Sequence, residues 1–137
     1  MTGVLTGEVR ETLERTSVIP VATASLDGVP NVVPMRFVRV VDDETMVVAD
    51  NYMDKGAANL SHNAWLALTV WDRDSKRAYQ VKGRADVLTS GPLFDETAAW
   101  VASLKPELRT KAAVRVVVTN VFVCQPGPDL GKDLFAG

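Results

Sequence analysis

The chain is predicted to be an antiparallel β-barrel of the α+β kind, built from six strands with two to three short helices. Three observations lead there: β-branched runs recur along most of the chain, short turn-forming clusters separate them, and only the first turns of the chain and one segment before the last strand carry helical spacing. Strand-rich chains of this kind remove exposed edges by closing the sheet on itself.

From Leu5 to about Thr16, the apolar residues Leu5, Val9 and Leu13 recur every fourth position among charged ones, the pattern of a surface helix with one buried stripe. Ser17 to Ser25 reads as a strand and stops at Asp27-Gly28, a tight-turn signal. A long β-branched run follows from Pro30 to Val41, interrupted by Pro34, and the acidic turn Asp42-Asp43-Glu44 leads into a strand from Thr45 to Asp50. Three consecutive antiparallel strands are expected from this. Pro34 lacks the N–H needed for a central ladder, so its strand is expected to be an edge, to be bulged, or to turn its backbone there toward something other than a neighbouring strand.

Asp54 is expected to N-cap a helix of one or two turns, with His62 a surface residue near its end. Trp65 to Trp71 and Ala78 to Leu88 are strands about the charged turn Asp72 to Lys76, and Gly83 inside the second signals a bulge or a close backbone approach. Pro92 suits a first helical position, and Leu93, Phe94, Ala98, Val101 and Leu104 continue at helical spacing up to Lys105-Pro106. Val114 to Cys124 is the last strand, and the glycine- and proline-rich tail 125–137 is expected to be irregular.

Of the 137 residues, 47% are hydrophobic and 23% charged, which suits one domain spanning 1–137. The fifteen basic and seventeen acidic residues are spread without a basic block, so nucleic acid is not an expected partner. One cysteine, Cys124, excludes a disulfide framework, and its apolar run suggests a small core residue. One histidine and one cysteine are too few for a zinc site, so no metal is expected. The start of the chain lacks the features of a signal peptide and no apolar stretch reaches the length of a membrane span, which makes a cytoplasmic protein the expectation. Trp65, Trp71, Tyr79 and Trp100 are expected to be core or interface residues.

The segment Asp50 to Leu60 carries the clearest chemistry. A strand ends, a helix begins near Lys55, and its free N–H groups, a lysine and the small Gly56 suit a phosphate. A capped surface helix with a solvated lysine accounts for the same residues. An ordered set of segments adds context: Val21-Ala22-Thr23-Ala24 before Asp27-Gly28-Val29-Pro30, then Val33-Pro34-Met35-Arg36-Phe37, then Asn51-Tyr52-Met53-Asp54-Lys55 with Ala58-Asn59-Leu60, and Val81-Lys82-Gly83-Arg84-Ala85.

With these motifs, residues 17 to 127 resemble the FMN-binding split-barrel family, which includes pyridoxamine 5′-phosphate oxidase and short bacterial and archaeal FMN-binding proteins. The resemblance implies a split barrel with Greek-key character that binds FMN as a homodimer. It implies that the strand from Val33 to Phe37, with Val33, Pro34, Met35 and Arg36 foremost, runs along the flavin, that Ala49, Asp50 and Asn51 line its ring and chain, and that Lys55 and Gly56 hold its phosphate. Arg36 is either a donor to the phosphate or ribityl chain or a surface charge. A second subunit is implied to complete the pocket with Arg109, Thr110, Gln125 and Pro126, the tail lying at the interface. No side chain is expected to be catalytic, because the cofactor carries the redox chemistry between a reduced nucleotide or protein donor and a small acceptor. The chain lacks the arginine-rich C-terminal segment of the true oxidase, so oxidation of the B6 vitamer is not expected. A non-enzymatic FMN electron carrier, the same fold holding deazaflavin F420 or haem, and a barrel serving only as an interaction module remain as alternatives.

Overall fold

The computed structural model describes Leu5 and residues 7–135. Among them the chain runs α1 (Gly7–Arg15), β1 (Ile19–Ala24), β2 (Pro30–Met35), β3 (Val38–Asp42), β4 (Thr45–Asp50), α2 (Lys55–Leu60), β5 (Trp65–Trp71), β6 (Ala78–Leu88), α3 (Pro92–Leu104) and β7 (Ala112–Val123). All seven strands form one antiparallel sheet in the order β2-β1-β5-β6-β7-β4-β3.

The seventh strand arises because the run from Pro30 to Val41 is two strands, contrary to the six-strand expectation. The break falls at Arg36-Phe37 and not at Pro34, which pairs directly with Pro20. The two halves then separate to opposite edges of the sheet, so the expected trio of adjacent strands is instead two hairpins, β1–β2 and β3–β4. Since two residues join the two edges, the sheet must curl until they approach, and because β2 and β3 share no ladder the barrel is split along that seam. Pro34 sits on an edge strand, where a missing N–H facing outward costs no ladder bond.

Period-two alternation sorts the side chains of this curled sheet. Val21, Leu66, Leu68, Val70, Val81, Met46, Val48, Val114 and Val116 point into one main core, which also receives Leu5 from the turn before α1, Val9 and Leu13 of α1 and Leu60 of α2. Ala49, one position along from Val48, faces the other way and packs with Phe37, Val101, Trp100 and Leu108 beneath α3. Strand β4 is therefore covered on both faces, and Phe37 and Trp100 meet edge to face at 5.7 Å between ring centroids.

The bulge expected at Gly83 is present, as the β6–β7 register shifts between Lys82 and Gly83. The hairpin turn before it is tied to α1, with Arg15 3.9 Å from Asp72, whose carboxyl is held below the usual carboxylate range chiefly by a hydrogen bond from the Ser75 side chain. The irregular tail folds back onto β7: Leu134 N–H donates to Val121 O at 2.7 Å, and the Asp133 carboxylate accepts from Asn120 Nδ2 at 2.8 Å. Residues 136–137 of that tail lie outside the described residues.

Two expectations about single residues are corrected, at Cys124 and at Asp54. Cys124 is exposed and not a core residue, because it follows buried Val123 and the alternation turns it outward. Of the four aromatic residues expected in the core or an interface, Tyr79 is buried, while Trp65 and Trp71, 47% and 57% exposed on the outer face of β5, stand outside the core of the single chain. Asp54 stands at the N-cap of α2 with helical backbone angles, and its side chain makes no capping bond. His62 is exposed, as expected.

Candidate functional site

Where the chain crosses from β2 to β3, the seam opens into a cavity of about 580 Å³. The end of β2, the crossing residues, the end of β4 and the loop after α3 all contribute to it, and its wall includes Val33, Pro34, Met35, Arg36, Ala49 and Asn51. Six residues expected from two separate stretches of sequence are thus brought to one place. Phe37, the last residue of the expected strand segment, joins them, as do Tyr52, Lys105, Glu107 and Leu108, which were not expected. Tyr52 directly follows an expected residue and could have been found by extending that segment, whereas Lys105, Glu107 and Leu108 arrive only because α3 packs over β4.

The loop that follows β4 is organised by two buried polar residues. Asp50 Oδ1 accepts the Met53 N–H at 2.8 Å and lies 3.9 Å from Lys111 Nζ, while the Asp50 carbonyl accepts the Lys111 N–H at 2.7 Å. A buried carboxylate is tolerable only when it is hydrogen-bonded and paired in this way. Next to it, Asn51 Oδ1 accepts from Thr110 Oγ1 at 3.0 Å, which ties the amide to the loop before β7. Asp50 shapes the site from behind, and Thr110 reaches it within the same chain through Asn51.

Asn31 extends the site along β2. It lies on the same side of the strand as Val33 and Met35, and its Nδ2 is buried without a hydrogen-bond partner. An orphaned buried donor costs about 1–3 kcal/mol unless something else accepts from it. Asn31 pairs across the ladder with Thr23, whose Oγ1 accepts from Asn59 Nδ2 of α2 at 3.1 Å. A Cβ on Gly56 would lie 3.8 Å from that same Oγ1 and 2.9 Å from Met53 Cε, so the glycine is packed closely against the flexible end of Met53. A continuous line therefore runs from the cavity along Met35, Val33 and Asn31 to Thr23 and Gly56. Lys55 is exposed at the start of α2, and neither it nor Gly56 lines the cavity itself.

The remaining expected residues lie apart. Arg109 is exposed on the loop before β7. Gln125 and Pro126 follow the far end of β7, where Gln125 Oε1 accepts the Ala78 N–H at 2.9 Å, so a single chain does not bring them to the cavity. Among the described residues there is no group of three or more His, Cys, Asp or Glu arranged to hold a metal ion.

A curled, seam-split antiparallel sheet with a cavity at the seam defines a split-barrel protein, and the comparisons give its family. The chain belongs to the pyridoxamine 5′-phosphate oxidase family of FMN-binding split barrels, whose model matches residues 5–125. An uncharacterised protein of Methanocaldococcus jannaschii is 38% identical over 130 residues, covering 93% of this chain and 86% of that protein. The crystal structure of HupZ from group A Streptococcus superimposes with a TM-score of 0.80 at 25% identity, covering 92% of this chain and 98% of that one. A structure described as an FMN-binding protein from Syntrophomonas wolfei gives a TM-score of 0.73 at 18% identity, over 86% of this chain and 89% of that one.

Proposed function

We propose that this chain binds FMN at the β2–β3 seam and works as a flavin-dependent oxidoreductase, in the cytoplasm and as a homodimer. The observation that carries the reading is the pairing of the cavity with the orphaned Asn31 donor on the same side of the β2 edge. A planar cofactor with apolar faces and a polar rim needs an apolar wall, an unpaired strand edge and a few fixed donors, and a volume of about 580 Å³ lies within the range of cofactor sites. Val33, Met35, Phe37 and Leu108 supply the wall, and Asn51 Nδ2 and Asn31 Nδ2 supply donors.

In this reading the chain's own residues bind, orient and shield. The open edge of β2 pairs with the polar rim of the ring, Asn31 satisfies its donor on the ribityl chain, and the line through Thr23 leads the phosphate to Lys55 and the α2 backbone beside Gly56. Tyr52, 78% exposed at the rim, covers the opening. FMN supplies the chemistry when bound, taking a hydride or electrons from a reduced nucleotide or protein donor and passing them to a small acceptor. The dimer is supported by the outer face of β1 and β5, where Ala22, Ala24, Ala67 and exposed Trp65 line a second concavity with little to cover it. Cytoplasmic residence is consistent with the exposed free thiol of Cys124. No helix among the described residues is long and apolar enough to cross a membrane.

The absorption spectrum of the purified protein tests the reading. Two flavin bands, in the near ultraviolet and the blue, are expected as isolated or after reconstitution with FMN. A single deazaflavin band or a haem Soret band would replace FMN with that cofactor, and a colourless protein that FMN does not reconstitute would overturn the reading. Lys55→Ala is expected to weaken FMN binding by about 1–3 kcal/mol, the range for losing a charge-assisted hydrogen bond. Unchanged affinity would remove Lys55 from the phosphate site.

A further inference from the structure

Helix α2 has six residues and no side-chain bond at its N-cap. Isolated helices shorter than about 12–15 residues are marginal in water, so its place and its rotation about its own axis are set by tertiary contacts. Buried Met53 and Leu60 anchor it at either end. Apolar burial is non-directional and fixes how deep the helix sits, not how it is turned. The directional contact is the hydrogen bond from Asn59 Nδ2 to Thr23 Oγ1, which ties α2 to β1 at 3.1 Å. Asparagine is an indifferent helix former, and this tertiary bond accounts for its place in so short a helix.

Thr23 is buried, and its Oγ1 stands beneath the first turn of α2, at Gly56, as well as being bonded to Asn59 in the last. One buried oxygen thus meets both ends of the helix. Lys55 and Asn59 are four residues apart and share a face of α2, so the bond that turns Asn59 toward β1 turns the stem of Lys55 to the same side. Across the ladder from Thr23 is Asn31, with its orphaned donor. Turning α2 by one residue, about 100°, would carry Lys55 away from the β1–β2 pair.

We propose that Thr23 and Asn59 are positioning residues, whose hydrogen bond holds α2 in the rotation that presents Lys55 to the flavin phosphate. The proposal rests on the FMN reading and extends it, since neither residue lines the seam cavity and both act through Lys55. The Thr23–Asn59 bond then determines selectivity between phosphorylated and unphosphorylated flavin. A misplaced lysine penalises only the ligand that carries the phosphate, and selectivity is the difference between the two affinities.

Fluorescence titration of FMN, and of riboflavin, which lacks the phosphate, into flavin-free protein tests it. Wild type is expected to favour FMN. Thr23→Val removes the hydroxyl and keeps the shape, and Asn59→Ala removes the donor while improving helix propensity. Each is expected to reduce the preference for FMN about tenfold, with riboflavin affinity unchanged. The double variant is expected to lose no more than either single one, Thr23→Ser to keep the preference, and Asn59→Ala to have no further effect once Lys55 is replaced by alanine. Asn59 is half-buried, so its variant keeps the test decisive if Thr23→Val lowers the melting temperature. Equal weakening of both flavins, additive losses in the double variant, or a full loss on top of Lys55→Ala would overturn the proposal. An unchanged preference in both single variants would overturn it while the FMN reading stands, whereas a wild type that binds neither flavin would overturn both.

Discussion

Gly83 stands in the interior of β6 where the β7 backbone passes so close that an added Cβ would press on the Val117 carbonyl oxygen and lie 2.8 Å from Val116 Cγ1. Neither neighbour can move cheaply, since one is ladder backbone and the other a fully buried side chain. Gly83→Ala is therefore expected to destabilise the fold by about 1–3 kcal/mol, the usual cost of overpacking, read as a lower midpoint in urea with an unchanged slope. A midpoint equal to wild type would mean that the bulge relaxes freely. This glycine was legible in the sequence because glycine inside a β-branched run has few other uses. Cys124 was not, since an apolar run does not say on which residue the alternation ends.

At the scale of elements, the loop between β4 and α2 is held by an acid other than the one that local pattern suggests. The Asp54 side chain stands at the N-cap without bonding any N–H, whereas that of Asp50, four residues earlier and buried, accepts from Met53 and faces Lys111. Asp54→Ala is accordingly expected to change stability by no more than about 0.5 kcal/mol, as exposed substitutions do. Asp50→Ala is expected to cost about 1–3 kcal/mol, by leaving the Met53 donor unpaired and freeing the loop. Equal effects in denaturant melts would contradict this division of roles. The same scale explains the strand count. The propensity of residues 30–41 is strand-like throughout, and only the demand that β2 and β3 join opposite edges opens the chain at Arg36-Phe37. Boundaries set by local composition, such as Thr45–Asp50, Trp65–Trp71 and Ala78–Leu88, were readable to the residue.

For the whole molecule, the outer face of β1 and β5 is the feature that a single chain does not explain. Trp65 lies exposed there, with the Arg84 guanidinium 5.0 Å from its ring centroid, beside the small side chains of Ala22, Ala24 and Ala67. The dimer we propose covers this face, and light scattering coupled to size exclusion is expected to give twice the chain mass. Trp65→Glu, which sets a charge in the middle of that face, is expected to shift the mass to one chain while leaving the thermal transition cooperative. A wild-type monomer at micromolar concentration would refute the dimer.

The antiparallel α+β class, nearly every strand and helix, the exclusion of Pro34 from a regular central ladder and the resemblance of the ordered motifs to one family can all be read from the residues alone, because these rest on local periodicity and on residues with narrow conformational uses. The tertiary structure alone decided that residues 30–41 divide between the two edges of the sheet and that α3 brings Lys105, Glu107 and Leu108 to the seam. The physical reason is the same in each case. Curling a seven-stranded sheet until its edges approach brings together residues far apart in the chain, and no local pattern records which side chains will meet when the seam is drawn in.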